Sequence, residues 1–152
     1  MIDPIRLYTD GSSKGNPGPG GWGVVLIWKN HRKEISGGEQ YTTNNRMELT
    51  AVIEGLKAIK KKDIPVYIYS DSSYVVNAIE NNWLQNWVLQ GFKKKLNEDL
   101  WREYISVAQD FKELKFNWIK GHAGHPENER CDKMAVEEAS KFSNEDSITN
   151  KI

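Results

Sequence analysis

A chain of 152 residues with 38% hydrophobic and 28% charged side chains is most simply one globular domain, long enough to bury roughly two-thirds of its unfolded surface. Twenty-one basic residues balance twenty-one acidic ones and the pI is near 6.8, which argues against nucleic-acid binding through overall charge, whose usual sign is a pI above about 9. The single cysteine, Cys131, excludes an internal disulfide and fits a reducing compartment; no leader pattern or apolar run of membrane length is visible, so the cytoplasm is the expected location.

The first element is a strand. Ile5, Leu7 and Thr9 alternate with Arg6, Tyr8 and Asp10, the period of two expected of a strand. Six of the twelve glycines then fall between Gly11 and Gly23, so the strand is expected to end at a permissive loop with Asp10 at its lip. Trp22 to Trp28 reads as a second strand and Glu34 to Tyr41 as a third, joined through short turns as antiparallel neighbours. From Asn44 the period becomes helical, with Leu49, Val52, Ile53, Leu56 and Ile59 on one face and Thr43, Asn44 and Asn45 as cap candidates. Val66 to Tyr69 is a fourth strand, stopped at Ser70-Asp71, and a helix follows through Val75, Val76, Ile79 and Trp83. Strand, crossover helix, strand makes the fourth strand parallel to the first.

Asn82 to Leu100 is irregular in pattern, Asp99 to Phe111 is helical, Leu114 to Ile119 is a fifth strand, and Asn128 to Phe142 is a last helix. The expected fold is α/β: a mixed five-stranded sheet, strands one to three antiparallel and strands four and five parallel to the first, with helices on both faces. Residues 1–142 form the domain and 143–152 a polar, flexible tail.

Four carboxylates occupy comparable places. Asp10 and Asp71 each end one of two adjacent parallel strands, Glu48 lies in the first turn of the helix between them, and Asp132 shares a helix face with Ala135, Val136 and Ala139. An aspartate on an apolar face needs a partner. Glu48 as a first-turn acid and Asp71 as a helix cap would each have a plain structural reading. Four converging acids, however, repel one another, and a divalent cation offsets that repulsion. All-oxygen ligation suits Mg²⁺ or Mn²⁺ rather than Zn²⁺. Two such ions about 3.5–4 Å apart can activate a water and stabilise the leaving oxygen of a phosphodiester. A zinc site from His122, His125 and Cys131 matches no standard ligand spacing.

The blocks Tyr-Thr-Asp-Gly-Ser (8–12), Gly-Asn-Pro-Gly-Pro-Gly-Gly (15–21), Thr-Thr-Asn-Asn-Arg-Met-Glu-Leu (42–49), Ser-Asp-Ser-Ser-Tyr-Val (70–75) and Trp-Ile-Lys-Gly-His-Ala-Gly-His-Pro-Glu-Asn-Glu-Arg-Cys-Asp (118–132) resemble bacterial-type (type 1) ribonuclease H, in the family's order and over nearly the whole chain. The resemblance implies an endonuclease that hydrolyses the RNA strand of an RNA–DNA hybrid, leaving 5′-phosphate and 3′-hydroxyl ends. It places the metal-binding carboxylates on Asp10, Glu48, Asp71 and Asp132. It also implies a mobile histidine at His122, serving proton transfer or product release, and an acid near the second metal at Glu129. Asn16 and Asn44 resemble residues that meet the hybrid near the scissile bond, where 2′-hydroxyls report RNA. Thr43 resembles part of a DNA-phosphate pocket, while Asn45 and Arg46 are read as holding that turn in shape.

Two departures stand out. Ser73 occupies a place where the family commonly has glutamine, which puts one minor-groove contact in doubt. The stretch from Trp83 to Trp101 resembles the family's basic protrusion but is shorter and poorer in charge, with Val88, Leu89 and Gln90 where relatives tend to be basic. Trp83 and Trp87 with Lys93, Lys94 and Lys95 still suit stacking and phosphate contact. The expected protein is a monomer acting on RNA–DNA hybrid, with no obligate protein partner and no separate N-terminal hybrid-binding module. The alternatives are a hybrid-binding domain without catalysis, against which all four carboxylates stand, and a related metal nuclease for other nucleic acid, against which Asn16, Thr43 and Asn44 stand.

Overall fold

The computed structural model of the chain describes residues 3–92, 96–119 and 125–151, with side chains to residue 142. Three antiparallel strands open the fold: β1 (Ile5–Ser13), β2 (Gly18–Trp28) and β3 (His31–Thr42). Helix α1 (Asn44–Lys57) crosses over to β4 (Val66–Ser70), which lies parallel to β1. Three helices, α2 (Ser73–Glu80), α3 (Trp83–Leu89) and α4 (Glu98–Ala108), lead to β5 (Leu114–Trp118), parallel to β4. Helix α5 (Pro126–Lys151) closes the chain. The sheet order is β3-β2-β1-β4-β5, the mixed arrangement expected from the connection lengths.

β1 is the central strand, and Leu7, Tyr8, Thr9 and Asp10 are all buried. Adjacent residues on β2 show why. Val24 packs with Leu49, Val52 and Leu56 of α1, whereas Val25 packs with Cys131 and Met134 of α5. Neighbouring strand residues point to opposite faces, so α1 and α5 cover opposite sides of the sheet. On the α5 side the fit depends on Gly23, where a Cβ would come within 2.5 Å of the Cys131 carbonyl oxygen. On the α1 side Trp101 is fully buried and donates its indole N–H to Tyr74 Oη at 2.8 Å, which satisfies the polar atom that such burial strands.

Several boundaries differ from the sequence expectation. The glycine-rich stretch is mostly strand. β1 runs on to Ser13 and pairs with β2 through Gly11↔Trp22, Ser12↔Gly21 and Ser13↔Gly20, because glycines without side chains can hydrogen-bond in a ladder as well as turn. Asp10 therefore lies inside β1, at the point where that strand outruns β4, whose pairing with it reaches only Tyr8↔Tyr69. The helix after β4 stops at Glu80, and Trp83 begins a separate helix after Asn82, which adopts a left-handed φ of 62°. The last helix continues past Phe142 through Lys151. Val136 does not share the buried face of Ala135 and Ala139; it is 43% exposed.

Candidate active site

The acidic centre is assembled by β1, α1 and β4. A carboxylate oxygen from each of Asp10, Glu48 and Asp71 lies within 4.8 Å of the other two. Gly11 sets the distance between Asp10 and Glu48. A Cβ on Gly11 would collide with Glu48 N and with the carbonyl group of Met47, so the α1 backbone rests directly on β1 beside Asp10. The Gly11 N–H donates to Asp10 Oδ1 at 2.8 Å.

The plain structural readings of Glu48 and Asp71 do not hold. The N-cap of α1 is Thr43, whose Oγ1 accepts from Arg46 N, and the first turn contains no acid, which places Glu48 one turn further in. The N-cap of α2 is Ser72, whose Oγ accepts from Val75 N at 3.2 Å, so Asp71 does not serve as the cap.

Burial and like charge both act on this cluster. Burial first, then the negative charges of Asp71 and Asp132, push the Asp10 carboxyl up to about 8, against the Gly11 N–H bond that favours ionisation. Burial, followed by the charges of Asp10 and Asp71, holds Glu48 well above the usual carboxylate range. Both directions follow from taking anions out of water and setting them side by side. Glu48 Oε2 is buried with no hydrogen-bond partner among the described residues. Asp132, half-buried on α5, completes the set from the other side of the sheet: it shares a hydrogen-bonding contact with Asp10 and adds its charge to Asp10 and Glu48.

Buried carboxylates with an unmatched oxygen and raised pKa values fit a hard divalent cation, which takes oxygen ligands and stabilises their ionised form. The zinc alternative fails on Cys131, which is fully buried in the α5 core, donates its S–H to the Tyr8 carbonyl at 3.3 Å, and has its thiol pKa pushed up by burial.

Beside this centre lies a polar rim. Asn44 Oδ1 accepts from Ser13 N at 2.7 Å and from Ser13 Oγ at 3.1 Å, while Asn16 Oδ1 accepts from Asn44 N at 3.2 Å. The hairpin between β1 and β2 is thereby laced to the start of α1, with Thr43 between them as the helix cap. The amide oxygens of both asparagines are used internally, and their amide nitrogens are donors on an exposed surface. Ser73 is exposed at the start of α2, and Glu129 is exposed in the first turn of α5. Trp83 is 43% exposed, whereas Trp87 is half-buried and meets the Trp101 ring edge-on at 5.7 Å. His122 and Lys93, Lys94 and Lys95 lie outside the described residues.

Two groups at the centre's edge escape sequence reasoning. Asn128 is fully buried one turn before Asp132, with its Nδ2 3.5 Å from the Thr9 carbonyl; its signal in the sequence was an amide on the same helix face as Asp132. Arg46 leaves its own turn altogether and grips α4 through Asn97 and Asp99, a contact across fifty-odd residues that no local pattern announces.

Fold and site together define a metal-dependent nuclease. Comparison with known proteins makes the class particular. A family model of RNase H matches residues 3–140. The chain is 54% identical over 145 residues to a ribonuclease H of Desulforamulus reducens, covering 92% of this chain and 90% of that one. It is 50% identical over 148 residues to a ribonuclease H of Neisseria meningitidis serogroup C, covering 94% of this chain and 100% of the relative. Among solved structures, LC9-RNase H1, a type 1 RNase H with the type 2 active-site motif, superposes with a TM-score of 0.81 at 31% identity, over 93% of this chain and 74% of that one. LC11-RNase H1 in complex with RNA/DNA hybrid superposes with a TM-score of 0.66 at 28% identity, over 90% of this chain and 97% of the other. The chain belongs to the ribonuclease H family, as a type 1 member.

Proposed function

We propose that this ribonuclease H cleaves the RNA strand of RNA–DNA hybrids internally, leaving 5′-phosphate and 3′-hydroxyl ends, with two Mg²⁺ ions and with Mn²⁺ as a substitute. The observation that carries the reading is the cluster of buried Asp10 with half-buried Glu48 and Asp71 set beside the Asn16–Asn44 rim. Asp10, Glu48, Asp71 and Asp132 would hold the ions. Such ions supply activation of a water and neutralisation of charge at the reacting phosphate.

The remaining work falls to the chain. The Asn16 and Asn44 amide nitrogens are donors suited to the 2′-hydroxyl side of the hybrid, the feature that separates RNA from DNA. Thr43 stands at the N-terminus of α1, where the helix favours a phosphate. Trp83 offers an exposed ring, with Lys93, Lys94 and Lys95 nearby in sequence for phosphates. Trp87, turned onto Trp101, supports that surface more than it meets substrate. His122 is assigned proton transfer or product release, and Glu129 a place near the second ion. Ser73 leaves a shorter side chain toward the minor groove. The enzyme acts as a cytoplasmic monomer in this reading; no described helix is long and apolar enough to cross a membrane.

The test is a labelled RNA–DNA hybrid assayed beside duplex RNA and duplex DNA, with Mg²⁺ and with excess chelator, for the parent and for Asp10→Asn. Cleavage is expected only of the hybrid and only with metal. Asp10→Asn is expected to lose several orders of magnitude while still binding substrate. Full cleavage in chelator, or equal cleavage of duplex DNA, overturns the reading.

A further inference from the structure

Helix α3 itself is thinly fastened, while the turn after it is anchored by Phe92, which is buried in the core. Only Leu84 of α3 is buried, and the neighbouring Val88 and Leu89 are 47% and 83% exposed. Besides the apolar anchors Leu84, Trp87 and Phe92, a hydrogen-bonded chain centred on Arg46 ties the root of this protrusion to the body. Arg46 Nη1 donates to Asn97 Oδ1 at 3.2 Å and to Asp99 Oδ1 at 3.0 Å, and Nη2 donates to Asp99 Oδ2 at 2.7 Å. Its backbone N–H is bound in turn by Thr43 Oγ1 at 3.2 Å.

Asn97 sits just before α4 in a left-handed conformation, φ 65°, and makes no side-chain cap. Its amide instead bridges two helices. Oδ1 accepts from Arg46 of α1, and Nδ2 donates to Tyr74 Oη of α2 at 3.1 Å. Tyr74 Oη also accepts from Trp101 of α4 at 2.8 Å, and the Trp101 ring meets Trp87 of α3. The chain thus starts two residues from Glu48, passes three residues from Asp71 at Tyr74, and reaches α3 through Trp101.

Stability alone does not account for this arrangement. The side chain of Asp99 is 65% exposed against 29% for Arg46, and even a bidentate pair this open to water contributes on the order of 1 kcal/mol to folding. A fork with its three contacts already fixed is a geometric device, since guanidinium holds direction as well as charge.

We propose that Arg46 is a positioning residue for hybrid binding: through Asn97 and Asp99 it sets the α3–α4 protrusion in register with the carboxylate centre. This rests on the hybrid-cleaving reading above. The bond to Arg46 holds Asp99 below the usual carboxylate range, so the grip persists across neutral pH.

The experiment measures kcat and KM on hybrid for Arg46→Gln, Arg46→Lys, Tyr74→Phe and the Arg46→Gln/Tyr74→Phe double variant, with urea midpoints for each. Arg46→Gln is expected to raise KM about tenfold, equivalent to about 1.4 kcal/mol, with kcat changed less than about threefold. Arg46→Lys, which keeps the charge but not the fork, should recover part of that loss. Tyr74→Phe should raise KM by a smaller factor, and the double variant should fall short of the product of the two because both act through Asn97. An unchanged KM in a folded Arg46→Gln protein overturns the proposal, as does a double variant whose effects multiply. If Arg46→Gln does not fold, Tyr74→Phe decides alone: KM raised at an unchanged urea midpoint supports the proposal, and KM unchanged overturns it. A parent enzyme that fails to cut hybrid would defeat the functional reading instead, a separate result.

Discussion

Asp10 and Glu48 are set by direct backbone contact between β1 and α1 at Gly11, with Asp71 beside them, whereas Val88 and Leu89 ride on a short helix that meets the body through Leu84 and Trp87. The first region concentrates like charge in a buried place; the second spreads apolar surface into solvent where substrate would meet charge. The contrast separates two tasks. Charge stabilisation needs fixed groups at low dielectric, and a small error in their placement is expensive. Hybrid capture needs area and a few phosphate contacts, and it tolerates substitution. Mutations in the two regions should accordingly move different kinetic constants.

After the loss expected of Asp10→Asn, the largest effect is expected at Gly11. In Gly11→Ala the new methyl meets the backbone of Met47 and Glu48, with no flexible side chain available to give way. α1 must lift off β1, separating Glu48 from Asp10. A displacement of about 1 Å at a reacting centre costs on the order of a hundredfold in rate, and overpacking of this kind costs about 1–3 kcal/mol in stability. Cleavage rates under saturating hybrid, with urea curves beside them, check both. A variant with parental kcat would show that the α1–β1 spacing is not what places the two carboxylates.

The protrusion should respond through KM. Replacing Lys93, Lys94 and Lys95 by alanine is expected to raise KM several-fold and to lower kcat less. Each lost phosphate contact should flatten the log–log salt dependence by about 0.7–0.9. The reverse change, Val88→Lys with Leu89→Lys, should lower KM and steepen the salt slope, because both positions are already exposed. If the alanine variant leaves KM unchanged at low salt, hybrid is captured on another surface and the division of tasks drawn here is misplaced.

How much of this was legible in the sequence follows the range of the forces involved. β1 announces itself by alternation and β2 and β4 by short runs of β-branched and aromatic residues, and the crossover from α1 to β4 dictates which strands are parallel. The four carboxylates stand out only as a set: Glu48 and Asp71 each have a plain local reading, whereas Asp132 on an apolar helix face has none. Helix α3 is not legible in the sequence because seven residues with one buried leucine leave almost no periodicity to read. The glycines after Asp10 look like a turn and suggest a strand end, whereas Gly11 and Gly23 are where helices approach the sheet. The local sequence around Arg46 shows only its own turn; its partners Asn97 and Asp99 are tertiary, and long-range polar contacts carry no sequence period.

The smallest expected effect concerns the stability of the metal-free protein, and it tests the acidic centre without reference to activity. Asp10 has a folded-state pKa of about 8, far above an unfolded aspartate at about 3.9. Between those values the folded chain binds more protons than the unfolded chain, so stability falls as pH rises through this window and the loss is complete above about 8. Asp10→Asn removes the group that must take up that proton and nearly preserves its shape. The variant is therefore expected to be more stable than the parent in chelator by roughly 0.5–2 kcal/mol, the range of common stabilising changes, with the gain growing from pH 5 to pH 8. Millimolar Mg²⁺ should stabilise the parent by mass action and do less for the variant, which has lost a ligand charge. Urea unfolding at several pH values, with and without Mg²⁺, reads both differences. The Gly11 N–H bond to Asp10 Oδ1 sets the opposing term, since an amide oxygen accepts that bond less strongly than a carboxylate. If Asp10→Asn is the less stable protein in chelator at pH 8, that bond outweighs the repulsion among the acids, and the centre is held together more by its backbone donor than it is pushed apart by its charge.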